Sequence, residues 1–398
     1  MPTFPLFNLL LLLLLLVHAA AASSTYNVLD YGADPDCQAD STLAFSLAWE
    51  ATCASRDPHP PTLYVPRGSF SVGRLDFRGG CYSDLVRIRI DGQLVAPSDY
   101  NVLANGRSWI TIDSVEGLHV SGGVLDGMGD GLWDCKASLG DDGCPKGSTT
   151  LEISRSKNVQ ISRLTLRNSQ LGHISINDSE NIRLDGLRIS ASETSPNTDG
   201  IHVQASSYVT VINSRVETGD DCVSIGPGTR NLLIHGMTCG PGHGISIGSL
   251  GKYLNEEGVS HVTVRNVHLN GTQNGLRIKS WGRQSTGFAE DILFEDAVMS
   301  NVHNPIVIDQ NYCPHHRNCP GQDSGVRVRH VTYRDVRGTS ASKVAVKFDC
   351  SSEQPCRDIR MENVRLTYGD GEEAAESYCA NVGGTARGSI QPNACLRR

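Results

Sequence analysis

The sequence lacks the features that mark several common protein classes. It has no run of five basic residues and a net charge of −8 over 398 residues, which argues against a nucleic-acid-binding protein. It has no C-x-x-C pair, so its thirteen cysteines do not resemble a zinc site, and we expect no metal or other cofactor. No Pro- or Ser-rich linker divides it, so we expect one domain over residues 24–398.

Long apolar runs are also scarce, and the one present lies at the N-terminus. Eight leucines, Leu9 to Leu16, precede an alanine-rich stretch, which predicts a secretory signal peptide over residues 1–23. The alternative is a membrane anchor, but the run is short for a span. We therefore expect a secreted, extracellular monomer that has no membrane contact after cleavage.

Secretion explains the cysteines, because disulfides form and persist in oxidising compartments. Most of them lie close together in sequence, which predicts five pairs: Cys135/Cys144, Cys222/Cys239, Cys313/Cys319, Cys350/Cys356 and Cys379/Cys395. Cys37, Cys53 and Cys81 remain, and their pairing stays open. Two sequons, at Asn177 and Asn270, are candidate glycosylation sites.

The second half of the chain is built from repeats. Segments such as "NVQISRLTL", "NIRLDGLRI" and "HVTVRNVHL" have apolar residues at the second, fourth and seventh places. They start at residues 158, 181, 208, 231, 261, 291, 330 and 358, which places them 23 to 39 residues apart. Short alternating stretches, among them "GIHV", "CVSI" and "GISI", lie between them and read as strands.

Two series of short strands at this period predict an all-β fold, the right-handed parallel β-helix. Each repeat forms one coil, apolar residues point into a central stack, and strands pair with the next coil. A propeller is the competing fold, but its blades need about 40 residues and four antiparallel strands. A short N-terminal helix within Asp40–Cys53, tethered through Cys53, is expected to cap the open end.

Three reactive residues share one position in this repeat. Asp199, Asp221 and His243 each directly precede a strand of the second series, and successive members are 22 residues apart. Equivalent positions of a β-helix stack about 4.8 Å apart, so these side chains should form a column, with Asp220 beside it.

Arg277 and Lys279 fall on outward positions of the same face, one or two coils further on. Crowded carboxylates repel, which raises at least one pKa and holds a proton for a general acid. The cations suit an acidic substrate. Each residue alone reads more readily as structural, with the two cations paired to Asp309 or Glu290, but their convergence on one face favours a catalytic site.

These motifs resemble those of the polygalacturonases, glycoside hydrolase family 28. The matching stretches are "SPNTDGIHV", "TGDDCVSIG", "CGPGHGISIGSLG" and "NGLRIKSW", while "NPIVIDQNYC" is similar to the plant branch. The resemblance extends from residue 26 to Cys395. It implies hydrolysis of α-1,4-linked galacturonan with inversion, with polygalacturonate or pectin of the plant cell wall as substrate.

The resemblance also implies a role for each matched residue. Asp220 corresponds to the general acid, Asp199 and Asp221 to the pair that activates water, and His243 to the residue that supports the acid. Further matches are to substrate-binding residues: Arg277, Lys279, Tyr312 and Asn197.

We expect cleavage within the polymer, with cleavage from its end as the alternative. The loops 136–150 and 313–325 are expected to decide between the two. A pectate-lyase-like enzyme and a non-catalytic polysaccharide-binding β-helix are further alternatives.

Overall fold

The computed structural model describes residues 23–314, 319–369 and 373–397. The expected signal peptide therefore lies outside the described residues apart from Ser23. Among the described residues, no helix is long and apolar enough to cross a membrane.

The described chain folds as a right-handed parallel β-helix, as the repeats predict. In chain order its strands are β1 (Thr25–Asn27), β2 (Asp36–Asp40), β3 (Thr62–Val65), β4 (Ser69–Ser71), β5 (Leu75–Arg78), β6 (Val86–Ile90), β7 (Gln93–Val95), β8 (Ser108–Asp113), β9 (Glu116–Ser121), β10 (Val124–Asp126), β11 (Thr149–Ser154), β12 (Lys157–Ser162), β13 (Thr165–Arg167), β14 (Ile174–Asn177), β15 (Glu180–Asp185), β16 (Arg188–Ser190), β17 (Ile201–Gln204), β18 (Ser207–Ile212), β19 (Arg215–Glu217), β20 (Val223–Ile225), β21 (Arg230–Cys239), β22 (Ile245–Leu250), β23 (Val259–Asn270), β24 (Asn274–Trp281), β25 (Phe288–Val302), β26 (Asn304–Tyr312), β27 (Arg327–Ser340), β28 (Val344–Asp349), β29 (Cys356–Glu362), β30 (Arg365–Tyr368), β31 (Glu373–Ala374), β32 (Glu376–Ala380) and β33 (Val382–Arg387).

Over the described ranges the strands form two sheets. The eleven-strand sheet takes one strand from each coil, in the order β5, β8, β11, β14, β17, β20, β22, β24, β26, β28 and β32. The remaining 22 strands of the described residues form the second sheet, and among these strands only β30 and β31 pair antiparallel. The second predicted series is therefore the eleven-strand sheet, and the first series lies in the other sheet.

The first series turns its corners at two fixed positions. The opening residue of each repeat and the residue five places later have φ between 49° and 66°, as in Asn181 with Gly186 and Asn231 with Gly236. This left-handed region disfavours most side chains but suits Gly, Asn and Asp. The chain meets this demand at most corners, although Tyr208 and His261 also occupy it.

The apolar residues of every repeat point inward and form one continuous core. Ile182, Val209, Leu232 and Val262 occupy one register position on four successive coils, and each is almost fully buried. Such stacks, repeated along both sheets, remove most of the apolar surface from water.

Helix α1 (Thr42–Cys53) covers the N-terminal end of this core. Phe45 packs edge-on against Phe70, and Trp49 contacts Phe77 and donates its indole N–H to the carbonyl of Arg78. The capping helix expected from the sequence is confirmed, and it hides the unpaired face of the first coil.

All five expected disulfides are present, and a sixth joins Cys53 to Cys81. The sixth joins the end of helix α1 to the segment that follows β5, and it leaves Cys37 as a free thiol. Cys135 lies within helix α2 (Asp130–Leu139), and its disulfide to Cys144 ties the end of this helix to the segment that follows it. Cys313–Cys319 closes the loop after β26.

Candidate active site

The site is built where strands β17, β20 and β22 begin. The amide of Gly200 donates to the carbonyl of Asp221 at 2.9 Å, and that of Cys222 donates to Gly244 at 2.8 Å. These bonds place the residues two positions before each of the three strands in one register. Asp199, Asp221 and His243 therefore form the predicted column, with Asp220 beside it.

Asp221 is the most enclosed member of the column, with 1% of its surface exposed. One oxygen, Oδ1, accepts from the Ser246 hydroxyl and from Arg277 Nη2, each at 2.8 Å. The other, Oδ2, forms an ion pair of 2.8 Å with Lys279. Two buried cations thus offset the cost of removing this carboxylate from water.

Asp220 lies beside the column and is held from two directions. Its Oδ1 is 3.0 Å from Nδ1 of His243. Its Oδ2 accepts from both the backbone N–H and the side-chain amide of Asn197, at 3.0 and 3.3 Å. Asn197, expected from the sequence to contact substrate, therefore also fixes the orientation of Asp220.

Asp199 has a different environment from Asp220. Its Oδ2 accepts from Ser224 Oγ at 2.6 Å. Burial, together with the negative charges of Asp220 and Asp221, raises the pKa of Asp199 to about 7. One carboxyl pKa in the column is therefore raised, as expected, with burial as the larger cause and the crowding of carboxylates as the smaller.

The pKa of Asp220 moves in the opposite direction. Burial alone would raise it, but the hydrogen bond and charge of His243, with Lys279 and the Asp221 amide, bring it down to about 2. The raised pKa thus belongs to Asp199, whereas the sequence led us to expect it on the general acid. Asp220 Oδ1 and His243 Nδ1 are 3.0 Å apart, so a proton on this side of the site can be shared between the two side chains.

The two cations reach the site from strand β24, on the coil beyond β22. Arg277 lies opposite Ser246 in register, and its Nε donates to that hydroxyl at 2.9 Å. Lys279 lies 5.2 Å from the centre of the Tyr312 ring, which in turn packs edge-on against Trp281. The structural alternative, pairing with Asp309 or Glu290, is wrong for both cations, because their ion pairs are with Asp221.

Oxygen and nitrogen atoms of Asp220, Asp221 and His243 lie within 4.8 Å of one another, a spacing that could hold a metal ion. The Asp221 oxygens, however, already bind Arg277 and Lys279. These residues therefore fit a metal poorly, since an added cation would be repelled by the two present.

Sequence reasoning missed the roles of Ser224 and Ser246. The structure shows the hydroxyl of each serine bonded to a carboxylate of the column, that of Ser224 to Asp199 and that of Ser246 to Asp221. The signal was their shared register with His202 and Arg277. Serine is too common on solvent faces for register alone to have singled it out.

The sequence also matches a described family. "Glycosyl hydrolases family 28" matches over residues 53–390. The chain belongs to glycosyl hydrolase family 28. It is therefore a glycosidase, and the alternatives of a lyase and of a non-catalytic β-helix do not hold.

The proteins most like this family 28 chain include named polygalacturonases. It is 57% identical over 372 residues to a polygalacturonase of Prunus persica, covering 94% of this chain and 93% of the relative. It is 38% identical to an exopolygalacturonase of Platanus acerifolia, covering 93% and 97%. Among solved structures, endo-xylogalacturonan hydrolase from Aspergillus tubingensis has a TM-score of 0.79 at 23% identity, covering 92% of this chain and 100% of the other. Polygalacturonase from Erwinia carotovora has a TM-score of 0.73 at 25% identity, with coverage of 92% and 97%.

Proposed function

We propose that the protein hydrolyses α-1,4-galacturonosyl linkages of polygalacturonan with inversion, and that it does so as a secreted enzyme in the plant cell wall. The observation that carries the proposal is the cluster of three aspartates facing Arg277 and Lys279 on one sheet of a family 28 fold. Carboxyl groups perform the acid and base steps of glycoside hydrolysis, and the cations suit an acidic sugar.

In this mechanism the Asp220–His243 pair supplies the proton to the leaving oxygen. Asp220 and His243 are 3.0 Å apart, so one proton shared between them can be delivered through the Asp220 carboxyl. Asn197 keeps this carboxyl pointed into the cleft through two hydrogen bonds.

Asp199 and Asp221 activate the attacking water from the other side. They lie one coil apart in the same column, and Asp199 is the less enclosed of the two. Ser224 donates to Oδ2 of Asp199, so the other oxygen, Oδ1, can accept the proton of the water. Asp221, which Arg277 and Lys279 hold in place, orients the same water through a second hydrogen bond.

The substrate carboxylate meets Arg277, Lys279 and Tyr312 at the cleavage point. The pair of cations faces one internal carboxylate, Asp221, so positive charge remains for a second, external one. This excess attracts a polyanion to a protein whose overall charge is −8.

Asp220→Asn tests the mechanism. Turnover of polygalacturonate should fall on the order of a thousandfold, because proton donation is lost while the shape of the site is kept. Substrate binding, measured by calorimetry, should persist. Asp185→Asn, on a coil surface of the other sheet, is the matched control. Full turnover in Asp220→Asn would refute the assignment.

The position of cleavage is tested separately. We propose attack within the polymer; attack from the end is the second candidate, because several relatives about 38% identical are named exopolygalacturonases. Chromatography of early products distinguishes the two: mixed oligomers indicate internal attack, and galacturonic acid alone indicates terminal attack.

A further inference from the structure

A chain of hydrogen bonds leads from Asp199 away from the cleavage point. Ser224 Oγ lies 2.6 Å from Asp199 Oδ2 and 2.8 Å from Nδ1 of His202. The other ring nitrogen of His202, Nε2, lies 3.2 Å from Gln204 Oε1. Four side chains are thus joined in series, and three of them have no role in the mechanism above.

The fold places these groups in contact. His202 and Ser224 are opposite each other on strands β17 and β20 and point to the same outer face. Gln204 follows His202 by two residues and therefore shares that face. Gly226 leaves room for the ring, since a Cβ at this position would lie 3.3 Å from His202 Cε1.

The far end of the chain is open. Gln204 is exposed, and with His202 it lines a concavity of about 510 Å³ that also contains Lys252, Tyr253 and Glu256. The chain therefore runs from a carboxyl in the catalytic column to a solvent-accessible hollow on the same face.

Because a hydroxyl carries one proton, the chain has two internally consistent arrangements. When Asp199 is ionised, Ser224 donates to it and must accept from Nδ1–H of His202, which leaves Nε2 to accept from the Gln204 amide. When Asp199 is protonated, it donates to Ser224, Ser224 donates to Nδ1, and Nε2–H donates to Gln204 Oε1. The two arrangements differ in the tautomer of His202 and in the orientation of the Gln204 amide.

We propose that Gln204, His202 and Ser224 form a relay of positioning residues that sets the protonation state of Asp199. The proposal rests on the proposed function, in which Asp199 acts as the base. Going from the protonated to the ionised arrangement, the Asp199 proton passes to Ser224, the Ser224 proton to Nδ1, and the Nε2 proton leaves to water in the concavity. One proton is released in total, and no bond between heavy atoms changes.

The surroundings of the relay are consistent with a neutral imidazole. Burial lowers the pKa of His202 and outweighs the hydrogen bond to Gln204 and the charge of Asp221, which raise it; the charge of Lys279 lowers it further. Asp199 faces Asp220 and Asp221 as well as Lys279. Across the concavity, the charged groups are Lys252, Glu256 and Glu257.

Two substitutions of the same histidine provide the sharpest test. An asparagine amide replaces Nδ1 and a glutamine amide replaces Nε2, so His202→Asn keeps the donor to Ser224 whereas His202→Gln removes it. The relay predicts that His202→Asn retains a near-native dependence of kcat/KM on pH. His202→Gln and Ser224→Ala should both move the acidic limb to higher pH, by about one unit. The first removes the donor to Ser224, and the second removes the hydroxyl that donates to ionised Asp199.

The relay also predicts non-additivity. Ser224→Ala combined with His202→Gln should behave as Ser224→Ala alone, since both interrupt one chain. Ser175→Ala, one coil earlier in the same register column as His202, is the matched control and should leave the limb in place. Equal profiles for the asparagine and glutamine variants, or an unmoved limb in Ser224→Ala, would overturn the relay.

A measurement without substrate separates this proposal from the function. In protein labelled with ¹³C at the aspartate carboxyls, Asp199→Asn identifies the resonance of Asp199. The titration midpoint of the Asp199 resonance should be higher in His202→Gln than in the wild type, and it should be unchanged in His202→Asn. If the enzyme is inactive on polygalacturonate but shows this pattern, the proposed function is refuted and the relay stands. If the enzyme is active but the pattern is absent, the relay is refuted and the proposed function stands.

Discussion

Lys279 and Asp221 are 58 residues apart in sequence, yet their side chains meet in a buried ion pair of 2.8 Å. Arg277 reaches the same carboxylate over two coils, also at 2.8 Å. The column of aspartates therefore contains one carboxylate that is fully paired, Asp221, next to one that is not, Asp199. The two should respond to the same substitution in opposite ways.

Replacing Asp199 by asparagine should stabilise the protein at alkaline pH. The pKa of Asp199 is about 7 in the folded state against an ordinary 3.8, so its favourable contribution is complete below about pH 4 and lost as pH rises through 7. Asp199→Asn has no carboxylate to ionise and avoids that loss. Above pH 7 its free energy of unfolding should exceed that of the wild type by about 2 kcal/mol, after allowance for the partial exposure of Asp199. Calorimetry should show a higher Tm than wild type at pH 8 and a similar one at pH 4.

Asp221→Asn is the opposite case. It leaves Arg277 and Lys279 buried without a carboxylate, at 9% and 7% exposure, which should cost about 3–5 kcal/mol. The Tm should fall at both pH 4 and pH 8. A common direction for the two variants at pH 8 would contradict the contrast between a paired and an unpaired carboxylate.

Lys279→Met should weaken binding of the charged polymer. Loss of the ammonium removes the ion pair with Asp221 and the positive charge proposed for a galacturonate carboxylate. We expect KM for polygalacturonate to rise about tenfold or more. Added salt should raise KM of the wild type more than that of the variant, because screening acts on the charge that the variant lacks. A salt dependence unchanged by the substitution would count against this role.

Tyr208→Asn should stabilise the fold. Tyr208 occupies a left-handed corner with φ of 56° and is 59% exposed, while Asn181 and Asn231 occupy the equivalent corners of the adjacent coils. Asparagine tolerates this conformation better than tyrosine, so the free energy of unfolding should rise by about 0.5–1 kcal/mol. The reverse change on the next coil, Asn231→Tyr, should lower it. Urea titration of both variants measures the two effects.

Removal of the Cys53–Cys81 disulfide should destabilise the N-terminal end. The bond closes a loop with a sequence separation of 28, for which chain entropy predicts about 3.5 kcal/mol. Cys53→Ala with Cys81→Ala should lower the Tm, and hydrogen exchange should increase first in helix α1. Cys37→Ser is the control, since Cys37 is a free thiol. Equal Tm values for the double variant and the control would contradict the tether.

Much of this architecture was predictable because a solenoid converts sequence period into spatial register. The interval of 22 residues placed Asp199, Asp221 and His243 in one column, and the structure confirms that column. Strand ends differed by a residue or two, since hydrogen bonding to the neighbouring coil and not the apolar pattern decides where a strand begins. "GIHV", for example, begins at Gly200, whereas β17 begins at Ile201.

What the sequence did not determine depends on side-chain direction and on competing partners. The partner of Arg277 could be Asp221, Asp309 or Glu290 by position alone, and only the path of its side chain over Ser246 decides. The distribution of protons among the aspartates likewise depends on His243 and Ser224, whose contacts no period reveals. Cys53 and Cys81 could not be paired while Cys37 remained a third choice.

The fixed corners of the repeat have a consequence for how such an enzyme can change. The two left-handed residues keep a spacing of five in all eight repeats, although the repeats start 23 to 39 residues apart. Additional residues therefore enter only on the two flanks of the eleven-strand sheet, where the chain crosses to and from the other sheet. Asp199, Asp221 and His243 lie on one of those flanks, just before their strands, so insertions there can remodel the surroundings of the site and leave the supporting stack untouched.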